Sequence, residues 1–338
     1  MSSLPGLGLS APPSQPPLEH IERTITLRAA SEWRFEVPST HSITVKLLLS
    51  PSTTDPSING TAEVFGTELA PNHAYTFAPL TKAAIYTHHG CILSVTGACD
   101  SDYTAEETPV AEYMNLHFAL EAMRDAAASS ATSTGGPRVL VVGPKDSGKT
   151  SLIKTLTSYA VRLSRSPLVI SLDPAAGMLA LPGSISAAAF GTGATLDPED
   201  AASGGWGTSP LLGGPHPTPV KTPVVYHLGV KGAEEWAERF RSVCGKMAVV
   251  STGRWTGQEE IRRSGMLVDV GGSVCTGRDD YEVLKHVVSE FSSKWFGRME
   301  WCEWTNGVLT GGSQCHIGAW LGETVQRYAQ AVWYACAW

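Results

Sequence analysis

The sequence predicts an α/β domain built on a parallel sheet, preceded by a small all-β module, and three observations carry that expectation. An apolar run ending in Val141 and Val142 reads as a short buried strand, is followed by a glycine-rich loop from Gly143 to Thr150, and opens at Leu152 into a helical pattern. A second apolar run, Pro167 to Asp173, ends in a carboxylate. Before both, from Glu22 to Thr108, short runs rich in Val, Ile, Thr and aromatics alternate with Gly, Pro, Asn and Ser clusters, the spacing of a small sandwich or barrel.

Met1 to about His20 is a Pro- and Ser-rich tail, with Pro12, Pro13, Pro16 and Pro17 disfavouring helix, and residues 1–21 are expected to lack fixed structure. Strands are expected over Thr24–Leu27, Trp33–Val37, Ile43–Leu49, Ala62–Phe65, Ala74–Phe77, Ala83–Thr87 and Cys91–Thr96, forming a β module over residues 22–108. From Pro109 to Ala128 the period changes, and Met114, Leu116, Phe118, Leu120 and Met123 indicate one helix. With the Ser/Thr/Gly run that follows, it makes residues 109–136 a bridge between two domains.

The stretch Gly143 to Thr150 fits G-x-x-x-x-G-K-[ST] without mismatch. Gly143 and Gly148 permit backbone angles that turn successive N–H groups toward one anion, and the positive end of the next helix adds to the attraction. Lys149 can reach the β and γ phosphates, and Thr150 supplies the hydroxyl that completes a magnesium shell. Asp146, Ser147 and Ser151 belong to the same cradle. This is a phosphate-binding loop, suited to the phosphates of a nucleotide with magnesium.

Helix is expected from Ser151 to about Ser164, where Leu152, Leu156, Tyr159, Ala160 and Leu163 keep helical spacing. The strand, helix, strand unit closing at Asp173 implies a parallel sheet with a right-handed crossover, so Asp173 lands on the same sheet edge as the loop. Residues 187–222 are dominated by Gly, Ala, Pro and Thr and read as a long mobile insertion in a nucleotide-binding domain of residues 137–293. Thr222–Leu228 and Gly265–Val270 read as strands, and Ala233–Val243 and Asp280–Phe291 as helices. Residues 294–338 hold six of the ten tryptophans with no sustained period, and so read as an atypical tail.

A formal charge of -7 excludes a globally cationic surface, so any RNA contact must be a local basic groove. The seven cysteines are scattered without C-x-x-C pairs, which points to a reducing compartment with no zinc site. No secretory signal pattern or membrane-length apolar run is present, and an intracellular, soluble protein is expected.

Four stretches together resemble the Clp-type subunit of the pre-mRNA cleavage and polyadenylation factor, in the polynucleotide 5'-hydroxyl kinase family. They are Glu32–Val37, Gly60–Leu69, Thr87–Cys91, and Gly143–Ser151 with the downstream Tyr159–Leu163 and Leu172–Pro174. The resemblance spans about residues 22–293. It implies a β domain packed on a phosphate-loop domain, ATP and Mg2+ held between them, a nuclear location, and the scaffold subunit of the cleavage factor as partner, with RNA met directly or through the complex.

By motif position it also implies that Glu32 and Lys82 contact the base and sugar end of the nucleotide. Read without the resemblance, a Glu on a strand and a Lys beside a turn are ordinary solvated charges. Asp173 matches the second acidic motif, so it would bind magnesium with Thr150 and, in an active enzyme, act with Lys149 in catalysis.

Three departures bear on turnover. Active kinases of this family follow the second acidic residue with a Gly-Gln-Gly type turn, whereas this chain reads Asp173-Pro-Ala-Ala-Gly177 and puts Ala176 at the glutamine's place. They also place a tryptophan after the strand matching Met266–Val270, where this chain has Ser273. Base stacking on an aromatic is worth roughly 1–3 kcal/mol, which a serine cannot supply. Finally, the further strand, basic lid and C-terminal β domain of the family are not recognisable after Phe291, so that third domain is expected to be missing from a truncated or altered C-terminus. Arg298 and Arg327 carry no motif that would assign them to a lid.

An ATP-holding subunit with weak or no turnover is therefore the leading expectation, and an active RNA 5'-hydroxyl kinase the alternative. A generic P-loop ATPase is a third. A GTPase lacks support because no Asn/Thr-Lys-x-Asp signature is visible.

Overall fold

The computed structural model describes residues 22–48, 60–129, 135–191, 197–202, 223–275, 281–291, 295–298, 304–305 and 308–309. The expected N-terminal tail, much of the expected insertion and most of residues 294–338 lie outside the described residues.

Nine strands build the first domain as a sandwich. One sheet, in the order β1-β8-β3-β6, consists of β1 (Glu22–Leu27), β3 (Ile43–Leu48), β6 (Ala74–Phe77) and β8 (Cys91–Thr96). The other, in the order β5-β4-β7-β2-β9, consists of β2 (Ser31–Glu36), β4 (Glu63–Val64), β5 (Thr67–Glu68), β7 (Lys82–Thr87) and β9 (Ser101–Ala105). All pairings are antiparallel. Because side chains alternate along a strand, Trp33 and Phe35 of β2 point into the sandwich, where they stack on each other and Phe35 meets Phe77 edge to face. Glu32, Arg34 and Glu36 fall on the outer face.

Strand β9 is absent from the sequence-based expectation, since Ser-Asp-Tyr-Thr-Ala offers no apolar alternation. Its place is held by polar contacts instead: Asp102 accepts the Trp33 indole N–H at 2.9 Å and pairs with Arg23.

The second domain is a six-stranded sheet in the order β13-β12-β11-β14-β10-β15. Strands β10 (Arg138–Val142), β11 (Leu168–Leu172), β14 (Met266–Val270) and β15 (Trp295–Arg298) run parallel. β12 (Ser184–Ala189) and β13 (Val224–His227) run antiparallel at one edge, so the sheet is mixed where a parallel one was expected. Successive residues of β10 serve opposite faces. Val139 and Val141 meet helices α1 (Val110–Ser129) and α2 (Lys149–Arg162), whereas Leu140 and Val142 meet the core of α4 (Ala237–Gly257), α5 (Glu259–Ser264) and α6 (Tyr281–Phe291).

Two expectations change here. The stretch read as a mobile insertion begins inside β12, an Ala/Ser run buried in the sheet with Ile185 as its one β-branched residue. Within the same stretch, the short helix α3 (Pro198–Ala202) buries Ala201 and Ala202 in the core of the β domain. The atypical tail also contains β15, which pairs with β10 in register Val139 to Trp295, so a further strand does follow Phe291.

Helix α1 packs on the nucleotide-domain side rather than only linking two bodies. Tyr113, Leu116 and Leu120 join the cluster of α2 and β10, whereas Phe118 faces outward. Arg124, 1 % exposed, donates to the Ser264 carbonyl at 2.8 Å and pairs with Glu121, which also holds Arg165.

The two domains meet along the flank of α2. Thr155, Ser158, Tyr159 and Arg162 recur at the three- and four-residue spacing that puts them on one helix face. Tyr159 donates its hydroxyl to Glu63 at 2.5 Å, Ser158 and Thr67 hydroxyls lie 3.3 Å apart, and Arg162 pairs with Glu68 at 2.5 Å. Between these contacts sits Gly66, at φ +79°, where a Cβ would stand 3.0 Å from both the Ser158 Cβ and the Thr155 carbonyl oxygen. The segment Gly60–Leu69 is thus the hairpin by which the β domain grips the helix that follows the phosphate loop.

Gly66→Ala places a side chain in a left-handed conformation against helix backbone, each effect being unfavourable by about 1–3 kcal/mol. We expect chemical denaturation to show a loss of at least that order. A variant as stable as the parent would contradict the docking described here.

Candidate functional site

The phosphate loop lies at the C-terminal ends of β10, β14 and β11, the edge at which open α/β sheets bind ligands. Asp146 at φ 60° and Gly148 at φ 83° take left-handed conformations that turn the chain into α2. Asp146, the loop residue tolerated there after glycine, is exposed. Ser147 donates its hydroxyl to the Pro144 carbonyl at 2.9 Å, and the Lys149 ammonium donates to the same oxygen at 2.5 Å. The turn after β14 presses on the loop from the side, since a Cβ at Gly272 would lie 2.5 Å from the Lys145 nitrogen.

Beneath the loop, Thr150 donates its hydroxyl to Asp269 Oδ2 at 2.7 Å. Asp269 is 1 % exposed and its Oδ1 has no hydrogen-bond partner. Burial pushes its carboxyl up to about 6, against the opposing pull of the Thr150 bond and of the cations Lys149 and Lys154, with Asp173 adding like-charge repulsion. A hydroxyl and a buried carboxylate with a free oxygen, placed below a phosphate cradle, fit a hard divalent cation.

The sequence-based expectation puts the metal on Thr150 and Asp173 and does not single out Asp269, which lies inside a strand. The signal was present, because Met266-Leu-Val-Asp-Val270 is an apolar strand with a carboxylate near its C-terminal end.

Asp173 lies nearby but is engaged locally. Its Oδ1 accepts the Ala175 N–H at 3.0 Å, capping its own turn, and a Cβ at Gly271 would touch that oxygen at 3.0 Å. Burial raises its carboxyl, with the Ala175 N–H and Lys149 pulling the other way. Ser151 stands in the first turn of α2, where its carbonyl accepts the Thr155 hydroxyl.

The outer face of the five-stranded sheet supplies the other residues. Register places Glu63, Tyr86 and Glu32 in one row across β4, β7 and β2, then Ala84, Arg34 and Tyr103, then Lys82 and Glu36. Glu32 is not the solvated charge its strand position suggests: it is 5 % exposed, pairs with Arg34, and is pushed up by burial against the pull of that cation. Lys82 is exposed and bonds Glu36 at 2.7 Å, which raises its ammonium, and Asp146 of the phosphate loop contributes in the same direction. The structure therefore brings Lys82 within electrostatic reach of the loop and puts Glu32 two rows away on the same face.

The model of the N-terminal beta-sandwich domain of polyadenylation factor matches residues 26–127, and that of the mRNA cleavage and polyadenylation factor CLP1 P-loop matches residues 143–296. Similar curated proteins include mRNA cleavage and polyadenylation factor CLP1 of Phaeosphaeria nodorum, 47% identical over 296 residues, and clp1 of Botryotinia fuckeliana, 45% identical over 293 residues. Both alignments cover 86% of this chain and 59% of the relative, so the chain spans under two thirds of their length.

A solved structure of a wild-type Clp1p–Pcf11p complex superposes with a TM-score of 0.69 at 26% identity, covering 83% of this chain and 61% of that one. A second matches with the same figures and is described as an extended interface between Pcf11p and Clp1p with a structural basis for ATP loss in a point mutant. With the sandwich, the phosphate loop and the hairpin between them all in place, this chain belongs to the CLP1 family of mRNA cleavage and polyadenylation factors.

Proposed function

We propose that this chain is an ATP-binding subunit of the nuclear pre-mRNA 3'-end cleavage and polyadenylation machinery that holds its nucleotide with little or no turnover. The observation that carries the binding half is the Thr150–Asp269 pair, buried beneath the phosphate loop with one carboxylate oxygen free. Lys149, once released from the Pro144 carbonyl, and the N–H groups opening α2 would hold the phosphates, while Glu32 and Lys82 would offer the base and sugar end a second wall. Thr150 and Asp269 would hold Mg2+, with Asp173 beside them, and the ion would offset charge on the phosphates.

Low turnover is supported by the surroundings of Asp173, whose carboxylate caps its own turn, and by Ala176, whose side chain has no polar group to orient a nucleophile. Ser273 stands within 3.4 Å of the Ala233 backbone nitrogen, which donates to its hydroxyl, and presents no aromatic ring to an RNA base. The Pcf11p partner of the solved relative supports a scaffold subunit of the cleavage factor as the partner here, with RNA reached through the complex. Among the described residues no helix is long and apolar enough to cross a membrane.

Nucleotide bound only to the folded state at a hundred times its dissociation constant stabilises by about 2.7 kcal/mol, roughly 4–6 °C in a protein of this size. ATP with Mg2+ should raise the melting temperature by that order, and Lys149→Ala should abolish the shift. With labelled ATP and 5'-hydroxyl RNA, no labelled RNA should form. Labelled RNA that disappears in Lys149→Ala would reject the non-turnover reading in favour of the kinase.

Asp269 generates a pH-dependent prediction. A folded carboxyl raised from 3.8 to about 6 makes the ionised form unfavourable in the fold, by roughly 3 kcal/mol above pH 6. The penalty shrinks as pH falls through 6 and is gone only below 3.8, where the group is protonated in both states. Without nucleotide, Asp269→Asn should therefore melt higher than the parent at pH 7.5, with the advantage shrinking between pH 6 and pH 4. The same variant should lose most of the Mg2+-dependent part of the ATP shift. Lower stability at pH 7.5 would contradict the assignment.

A further inference from the structure

Lys154 sits five residues along α2 from Lys149, about 140° round the helix, so its side chain leaves the phosphate side and enters the junction with the β domain. It is 5 % exposed. Its ammonium donates to the Ala201 carbonyl at 2.7 Å and lies 5.6 Å from the centre of the Phe65 ring. Phe65 stands at the turn of the β4–β5 hairpin, at φ 45°. Ala201 belongs to α3, within the connection from β12 to β13.

Within that connection, the described residues 197–202 form a strap that packs on the β domain. Ala201 and Ala202 are buried among Val64, Leu69, Tyr75, Phe77 and their neighbours, and the Glu199 carboxylate accepts the Thr76 N–H on edge strand β6. One buried ammonium thus gathers the phosphate-loop helix, the hairpin and the strap. A buried charge is tolerated only while its partners are held around it, so the position of each is tied to the other two.

We propose that Lys154 is a positioning residue for the nucleotide, fixing strap and hairpin on α2 so that the wall carrying Glu32 and Lys82 stands over the phosphate loop. This rests on the ATP-binding reading above. Lys154 also acts on Asp269 through charge, an effect that the arginine variant keeps. The docking part of its removal is felt by a ligand that needs both walls, because the apparent dissociation constant rises as the docked fraction falls.

The test is calorimetric titration of the full chain with ATP and with inorganic tripolyphosphate, each with Mg2+, for the parent, Lys154→Met and Lys154→Arg. If loss of the ammonium leaves the wall docked about one tenth of the time, ATP affinity drops about tenfold while tripolyphosphate, which needs the loop alone, stays within about twofold. Lys154→Arg, which keeps the charge and the donor, should recover most of the ATP affinity.

Unchanged ATP binding in Lys154→Met, or equal weakening of both ligands, would overturn the proposal. A parent that binds tripolyphosphate and ATP equally would remove the second wall, and a parent that binds neither would instead remove the ATP-binding reading. Should Lys154→Met not fold, Glu199→Ala loosens the strap from its exposed end and should give the same selective loss, about threefold. Equal affinities in that variant would overturn the strap.

Discussion

The grip of the β4–β5 hairpin on the flank of α2 constrains everything else, because α2 is also the helix whose N-terminus forms the phosphate loop. A helix is stiff along its axis, so what is bound at its first turn and what is bound along its side cannot be positioned independently. Gly66 permits the backbone approach, Tyr159 and Glu63 supply a buried hydrogen bond, and Arg162 closes the end with Glu68. Burial pushes the Glu63 carboxyl up, while the Tyr159 hydroxyl and the Arg162 guanidinium oppose that shift, so the latch is built from groups that depend on one another.

The sheet edge carries the opposite kind of arrangement. Asp173 adds to the cost of ionising buried Asp269, Asp269 keeps one oxygen unpaired, and Lys149 is turned onto a carbonyl of its own loop. Such a site is destabilising by itself and is relieved by a ligand that brings phosphate oxygens and a cation. The two regions therefore divide the work: the hairpin and strap hold shape, and the loop edge stores the affinity for nucleotide.

Much of this was legible in the sequence where a local pattern decides the outcome. Strands with β-branched alternation, such as Ile43–Leu48 and Cys91–Thr96, and the loop Gly143–Thr150 are specified by residues within one short window. β9 and β12 were not legible, the first because its order comes from Asp102 bonding Trp33 and Arg23, the second because an Ala/Ser run has no period to read. The Thr150–Asp269 pair joins residues 119 apart and exists only because β14 inserts between β10 and β11. Glu32 was singled out by resemblance alone, and its burial depends on what packs over the outer face of its sheet. The role of Gly60–Leu69 as a clamp on α2 was equally invisible, although it is one of the four stretches that carry the family resemblance.

The central claim is that nucleotide binding at the loop and docking of the hairpin are one event transmitted through α2. Amide hydrogen exchange of residues 63–68, followed with and without ATP and Mg2+, tests it most directly. The account predicts slower exchange in that hairpin when nucleotide is bound, although its residues lie on the flank of α2 and not in its loop. Protection confined to residues 143–151, with the hairpin exchanging at the same rate in both conditions, would contradict it.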